Sequence, residues 1–260
     1  MSGKNEATRI AVTNQKGGVG KTMVAINLAG ALAHRGHDIL FADIDPQGNG
    51  TEGVGLATAY EEREPNAYTM FSDIEESPLI NDLIREGSEF DVLPSNIDLF
   101  NVEYELMTSI RTEERLSIAF DELDTEYDFI VVDCPPNLGV LTDNAMLACR
   151  NIVIPALAES TSIRALELLT NQVESLESGY DIDVTELALV ANRVENDGEA
   201  DEMMQWFEDT YAAHLPVFEI RKRVALKRAW DAGVSTFEHD EACDMAAEFD
   251  SLAEHIEEVA

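Results

Sequence analysis

The sequence predicts a doubly wound α/β fold built on a mostly parallel sheet. Three observations carry that expectation. Short, near-continuous apolar runs alternate with helical patterns along almost the whole chain, as in a parallel sheet covered on both faces. With 260 residues and 45% apolar composition the chain can bury one substantial core, so a single domain over 1–260 is the simplest organisation. A glycine-rich turn between the first strand and the first helix supplies the strand–turn–helix unit on which phosphate-binding α/β folds are built.

The elements follow in order. A first strand is expected at Arg9–Thr13 and a helix of small apolar residues over Thr22–His34. Further strands are expected at Asp38–Asp43, Phe90–Leu93, Tyr127–Asp133, Asn151–Pro155 and Leu187–Asn192, with helices over Arg111–Leu123, Ile163–Leu176 and Glu199–Ala213. Leu56–Pro78 is the least regular stretch and reads as surface connection. Met245, Phe249, Leu252, Ile256 and Val259 recur at 4-3-4-3 spacing, an amphipathic helix. Its polar face carries Glu248, Asp250, Glu254, Glu257 and Glu258. Anionic lipid would repel that face, so the helix is expected to dock on the protein's own core and no membrane partner is expected.

Charge is the extreme feature of the composition. Acidic residues number 52 against 17 basic ones, a net charge of −35. The acids are dispersed, with no long block of like charge, so a disordered acidic tail is excluded. Such an acidic, lysine-poor but well-patterned sequence resembles proteins of extreme halophiles, whose carboxylates keep the surface hydrated in concentrated salt. Cys134, Cys149 and Cys243 have neither paired nor metal-ligand spacing, which suggests reduced thiols in a cytoplasm. No apolar run approaches membrane-spanning length, and a soluble, cytoplasmic protein is expected.

The chemistry concentrates in Asn14-Gln15-Lys16-Gly17-Gly18-Val19-Gly20-Lys21-Thr22-Met23. Backbone N–H groups of Gly17, Gly18, Val19 and Gly20 can converge on an anion because three of those positions lack a side chain. The helix that follows adds its N-terminal dipole. Lys21 can reach β- and γ-phosphates, and the Thr22 hydroxyl can bind Mg²⁺. The ordinary pattern Gly-x-x-x-x-Gly-Lys-Thr would place a glycine where Gln15 stands, and a second lysine, Lys16, heads the loop instead. Ligands of such sheets sit at the carboxyl ends of the strands. Three ends supply polar groups there: Asp43-Ile44-Asp45-Pro46-Gln47-Gly48-Asn49, Asp133-Cys134-Pro135-Pro136, and Asn192-Arg193. Asp133, ending a buried strand beside the loop, is placed to hold Mg²⁺ through its water shell.

Assembled, these segments closely resemble the ParA/Soj family of DNA-partitioning ATPases, within the wider MinD/ParA class of P-loop proteins. Lys16 to Thr22 resembles that class's deviant Walker A motif, Asp43 to Asn49 its switch I, and Asp133 to Gly139 its Walker B and switch II. Leu93-Pro-Ser-Asn-Ile-Asp-Leu99 and Glu103-Tyr-Glu-Leu106 resemble the ParA branch. The resemblance implies ATP and Mg²⁺ as ligands and a homodimer that forms on ATP binding. It implies that Lys21 binds its own subunit's nucleotide while Lys16 reaches the partner's. Thr22 would ligate Mg²⁺, with Asp43 and Asp133 supporting the metal's waters. Asp45 would position the attacking water, and Asn192 would hydrogen-bond the adenine. Met23 stands where a second threonine is common, and Asn192-Arg193 is nearer the wider class than many ParA proteins.

Arg221-Lys222-Arg223-Val224-Ala225-Leu226-Lys227-Arg228 places five of the seventeen basic residues in eight positions. In so acidic a chain this island suggests an anionic partner, and the resemblance implies nonspecific DNA bound by Arg221, Lys222, Arg223, Lys227 and Arg228. At about 1 M salt the Debye length is only ~3 Å, so the distant acidic surface would not repel DNA. The function expected is ATP-driven DNA segregation with a ParB-like partner, in a cytoplasmic, nucleoid-associated protein. The alternative is a MinD-like or orphan ParA-like ATPase that positions a protein complex or division site. An iron–sulfur carrier of the same superfamily is disfavoured by the lack of C-x-x-C, and a binding module without hydrolysis by Asp45 and Asp133 together with Lys16 and Lys21.

Overall fold

The computed structural model describes residues 7–72, 80–106 and 112–260, without the side chains of 103 and 104. The amino-terminal residues 1–6, the segment 73–79 that takes in the end of the irregular stretch, residues 107–111 with Arg111 among them, and the side chains of Glu103 and Tyr104 therefore lie outside the described residues.

From the amino terminus the chain forms β1 (Thr8–Val12), α1 (Lys21–His34), β2 (Ile39–Asp43), α2 (Asn49–Gly53), α3 (Ala67–Ser72) and α4 (Ile80–Leu83). It continues through β3 (Asp91–Leu93), α5 (Val102–Leu106), α6 (Arg115–Asp121), β4 (Phe129–Asp133), α7 (Val140–Cys149) and β5 (Asn151–Leu157). The last third comprises α8 (Thr161–Tyr180), β6 (Thr185–Val194), α9 (Gly198–Tyr211), β7 (Val217–Arg221), α10 (Val224–Ala232), α11 (Thr236–Asp240) and α12 (Asp244–Val259).

The strands pair in the order β3-β2-β4-β1-β5-β6-β7, and every pairing is parallel. Alternation along each strand divides the core between two faces. Ile10 and Val12, Ile39 and Phe41, and Phe129 and Val131 pack with α1 and α12 residues such as Leu28 and Phe249. Ala11, Leu40, Ala42, Ile130 and Val132 face the other layer, with Met146 of α7 and Leu166 and Leu169 of α8. Because both faces are covered, the central strands are near-continuous apolar runs, with polar residues at the start of β1 and aspartates closing β2 and β4. The loops after β1, β2, β4 and β5 consequently open at one carboxyl edge.

Four expectations are corrected. The seventh strand, β7, was not anticipated; it is a short edge strand whose residues are mostly half-buried, so it shows no apolar run. Strand β5 extends to Leu157, two residues past Pro155. Proline lacks a donor, but pairing with β1 stops at Val153, so no β1 carbonyl there is left waiting. Within Leu56–Pro78, α3 buries Ala67, Met70 and Phe71 in the core rather than running over the surface; six residues are too few to display a helical period. Helix α6 starts only at Arg115, after a 3₁₀ turn over Thr112–Glu114.

Helix α1 is apolar all round because it is enclosed by the sheet, α2, α11 and α12. Gly30 permits that closeness: a Cβ there would strike the side chain of Ser235, which caps α11. Helix α12 docks on the core as expected, burying Met245, Phe249, Leu252 and Ile256, while Val259 at its end stays 50% exposed.

Charge fastens α12 from outside. Arg35 donates to Asp250 at 2.9 Å and to both carboxylate oxygens of Glu257 at 2.8 and 2.9 Å, and His37 meets Glu257 at 2.8 Å. The Arg35 guanidinium, seconded by His37, holds the Glu257 carboxyl down at about 2. A carboxyl depressed by folding stabilises the fold above its unfolded pKa, and that stability disappears as pH falls toward the folded value. Glu257→Gln should therefore melt below the parent at pH 6, and the two should converge between about pH 4.3, the unfolded glutamate value, and about pH 2. Thermal melts across that range check this.

Candidate functional site

The loop after β1 is fixed from below. Asn14, itself buried, donates to the Pro155 carbonyl at 2.7 Å and accepts from the Lys16 N–H at 3.0 Å, tying the loop's start to β5. Gly18 and Gly20 hold left-handed φ of 77° and 87°, a conformation that strains other residues. A side chain on Gly20 would also run into Asn192. Helix α1 then starts at Lys21 with no side-chain cap and no acid in its first turn. Its first N–H groups are thus left for an anion.

Lys21 is only 6% exposed, and its ammonium reaches the Lys16 carbonyl at no closer than 3.5 Å. Burial draws its pKa down, opposed first by the Asp133 charge and then by that of Asp45. Asp133 and Asp45 act on it directly, and Asp43 adjoins both carboxylates. Asp43 accepts from the Thr51 N–H and hydroxyl at 2.6 and 2.8 Å and from the Asp45 N–H at 3.1 Å. Burial nevertheless pushes its pKa up to about 7. Asp45 accepts from the Gln47 N–H at 2.9 Å and is also raised by burial. Asp133 is wholly buried, and neither of its oxygens has a hydrogen-bond partner. Burial, then the neighbouring Asp43 charge, raises its pKa well above the usual range. Thr22 lies near enough to favour the Asp133 carboxylate but outside hydrogen-bond geometry.

An orphaned, buried carboxylate beside a threonine hydroxyl and a buried ammonium is incomplete as it stands. A divalent cation with its water shell, bound together with phosphates, would complete it. The donors present, the orphaned Asp133 carboxylate near the Thr22 hydroxyl, fit Mg²⁺, which uses one or two carboxylates plus phosphates and water rather than an all-protein cage.

A cavity of about 890 Å³ opens above the loop. Gly17, Gly18, Gly20, Lys21 and Thr22 form one end, with Asp45 and Gln47 at the side. Met23, Val224, Leu226 and Trp230 give it an apolar wall, and Arg193, Lys222, Arg223 and Lys227 stand at its rim.

The structure brings the expected residues together in three layers. Gly17, Gly18, Gly20, Lys21, Thr22, Met23 and Asp45 line the cavity, whereas Val19, Asp43 and Asp133 are buried beneath it. Asn192, expected at an adenine, is instead fully buried under the loop. Its amide donates to the Val19 carbonyl at 2.7 Å and accepts from the Arg193 N–H at 2.8 Å, so here it props the loop while Arg193 lines the cavity at its rim. Lys16 does not line the cavity. Its ammonium meets Glu159 at 3.0 Å and the Thr161 hydroxyl at 2.5 Å.

The basic island is divided between three elements. Arg221 ends β7, Lys222 and Arg223 form the link, and Lys227 and Arg228 belong to α10. Arg221 pairs with Glu219 at 2.6 Å, Lys222 with Glu195 at 2.8 Å and Arg223 with Asp244 at 2.6 Å. Lys227 and Arg228 have no acidic partner among the described residues. Sequence reasoning missed Thr51, Glu159, Thr161 and Trp230 as site residues. Only Thr51 had a local signal, lying just past the strand-end segment Asp43–Asn49.

Known proteins are similar to this chain in sequence and in fold. A family model described as an AAA domain matches residues 7–185. The sporulation initiation inhibitor protein Soj of Bacillus subtilis is 40% identical over 177 residues, spanning 67% of this chain and 68% of that protein. The chromosome-partitioning ATPase Soj of Treponema pallidum is 31% identical over 246 residues, 94% of each chain. Among solved structures, an ATP complex of a McdA variant from Cyanothece superposes with a TM-score of 0.83 at 22% identity over 97% of each chain. The cell division ATPase MinD of Pyrococcus furiosus gives 0.74 at 23% identity, over 98% of this chain and 100% of that one. The structural likenesses establish the shared fold, and the sequence identities go further: this chain belongs to the AAA-domain family and, within it, to the ParA/Soj ATPases.

Proposed function

We propose that this chain binds Mg-ATP on its glycine loop and pairs with a second copy of itself around the nucleotide. The pair binds DNA nonspecifically, and hydrolysis drives DNA partition with a ParB-like partner in the cytoplasm, on the nucleoid. The observation that carries this reading is the divergence of the loop's two lysines. Lys21 is buried toward the cavity among carboxylates, whereas Lys16 points away from it.

Each residue has a task in that scheme. The loop N–H groups and Lys21 hold the β- and γ-phosphates. Thr22 and Asp133 hold Mg²⁺, with Asp43 behind them, its oxygens fixed by Thr51 and by the Asp45 backbone. The ion supplies charge neutralisation across the phosphate oxygens. Asp45, steadied by the Gln47 N–H, orients the attacking water. The wall of Met23, Val224, Leu226 and Trp230 offers a nucleobase an apolar face. Lys16 completes the partner's site, so a lone subunit turns over slowly.

Three of the five island cations are already paired with acids, so exposed Lys227 and Arg228 contribute most to DNA binding. Arg228 lies outside the cavity lining, which separates the two functions. Arg228→Glu should weaken ATP-dependent retention of plasmid DNA and flatten its salt dependence by about one unit of log–log slope for each phosphate no longer neutralised. Gel shifts at several KCl concentrations measure both. If the parent binds no DNA with ATP at any salt, partition is ruled out. The neutralised cations then favour the second reading, a ParA-like ATPase that positions a protein complex.

A further inference from the structure

Lys16 is fixed at both ends within its own subunit. Its N–H donates to Asn14 at 3.0 Å and its carbonyl faces the Lys21 ammonium at 3.5 Å. Its own ammonium is taken by Glu159 at 3.0 Å and by Thr161 at 2.5 Å. The receiving turn is rigid. The Glu159 N–H donates to Leu157, and Ser162, fully buried, donates through its N–H to Glu159 and through its hydroxyl to Leu157, all at 2.8–2.9 Å. The Thr161 hydroxyl also donates to the Glu159 carboxylate at 3.3 Å. The turn follows β5, whose neighbour β1 leads into the loop, so lysine and acid come from adjacent strand ends. The depression beside it carries further acid, Glu195, Asp197 and Glu199, together with Arg193 and with Lys222, which pairs with Glu195. Acid remains in excess there.

We propose that Glu159 and Thr161 latch Lys16 in cis and thereby set the nucleotide concentration at which two copies pair. Each subunit must release its lysine from this latch before the ammonium can reach the partner's phosphates. The inference rests on the trans role given to Lys16 under Proposed function. Glu159 and Thr161 are positioning residues: they act on the nucleotide only through Lys16. Nucleotide also bears on the latch through the backbone. Phosphates that draw Lys21 off the Lys16 carbonyl remove one of the interactions holding that residue.

The ion pair is part-exposed, with Lys16 at 24% and Glu159 at 51% side-chain exposure, so its strength is modest. Releasing it changes an equilibrium by about two- to five-fold per subunit. A pair opens two latches, so dimerisation should shift by the square, about four- to twenty-five-fold.

The test is sedimentation of the full chain titrated with a nonhydrolysable ATP analogue, in parallel with analogue binding to dilute monomer. Glu159→Gln, nearly isosteric, should lower the half-maximal concentration for pairing by several-fold and leave monomer affinity unchanged. Thr161→Val should move pairing the same way by less. A purely structural role for the turn would shift monomer affinity or melting temperature as well, and that outcome overturns the latch. So does pairing of Glu159→Gln at the parent's concentration or above it, while Lys16→Ala fails to pair. If Lys16→Ala itself pairs like the parent, the trans role fails, and the latch with it.

Discussion

Lys21→Ala should lose ATP affinity by roughly a hundredfold, because a charge-assisted hydrogen bond contributes about 1.5–3 kcal/mol and a β/γ-bridging ammonium makes more than one. The ammonium already stands desolvated and without a close partner, its pKa drawn down by burial and held up by Asp133 and Asp45. A triphosphate would give it counter-charge without further desolvation, which is why most of the binding energy should pass through it. The alanine variant also leaves the buried carboxylates without their cation, and such an uncompensated charge is costly. The nucleotide-free variant should therefore melt lower as well. Calorimetric titration with the analogue, paired with a thermal melt, reads both effects. Lys21→Arg should not rescue binding, since a planar fork does not replace a compact ammonium in a closed site.

Asp133→Asn should produce the opposite pairing of effects: a more stable protein that no longer works. Both oxygens of Asp133 are buried without hydrogen bonds, beside Asp43. An uncompensated group of this kind costs about 1–3 kcal/mol or more. The neutral amide removes the repulsion from Asp43 and offers it a donor, which outweighs the lost counter-charge to Lys21, so the nucleotide-free variant should gain about 1 kcal/mol of stability. A carboxyl raised by folding penalises the fold once pH exceeds its unfolded value. The variant's advantage should therefore grow as pH rises above about 4. Mg²⁺-dependent turnover should fall by about a hundredfold or more, as when an electrostatic group is removed from a transition state. Such an exchange of stability for function marks a site whose strain serves a ligand. A variant that melts lower while keeping Mg²⁺-dependent turnover would overturn the assignment.

The parts of the site that were legible in the sequence are those whose chemistry is local. The glycine loop, the lysine that ends it, and the carboxylates closing β2 and β4 each sit within a few residues of the backbone feature that positions them. Central strands read clearly because burial on both faces makes them near-continuous apolar runs up to the polar residues at their ends. What escaped notice depends on distant partners. Lys16 and Glu159 are 143 residues apart, and Asn192 and Val19 are 173 apart; no local pattern announces either interaction. Pro155 ended the expected strand two residues early, and the turn bearing Glu159 was hidden with it. The basic island read as one run because nothing in the sequence shows that β7 ends at Arg221. Nor does the sequence show that Glu195, Glu219 and Asp244 fold back onto three of its cations.

In the function proposed above one loop serves two nucleotides, Lys21 its own and Lys16 the partner's. Light scattering of the parent and Lys16→Ala, each saturated with the ATP analogue and Mg²⁺, tests it most directly. The parent should appear at twice the 28.7 kDa of one chain, and Lys16→Ala, still binding analogue, should remain at 28.7 kDa. A Lys16→Ala protein that pairs with analogue as the parent does would contradict it.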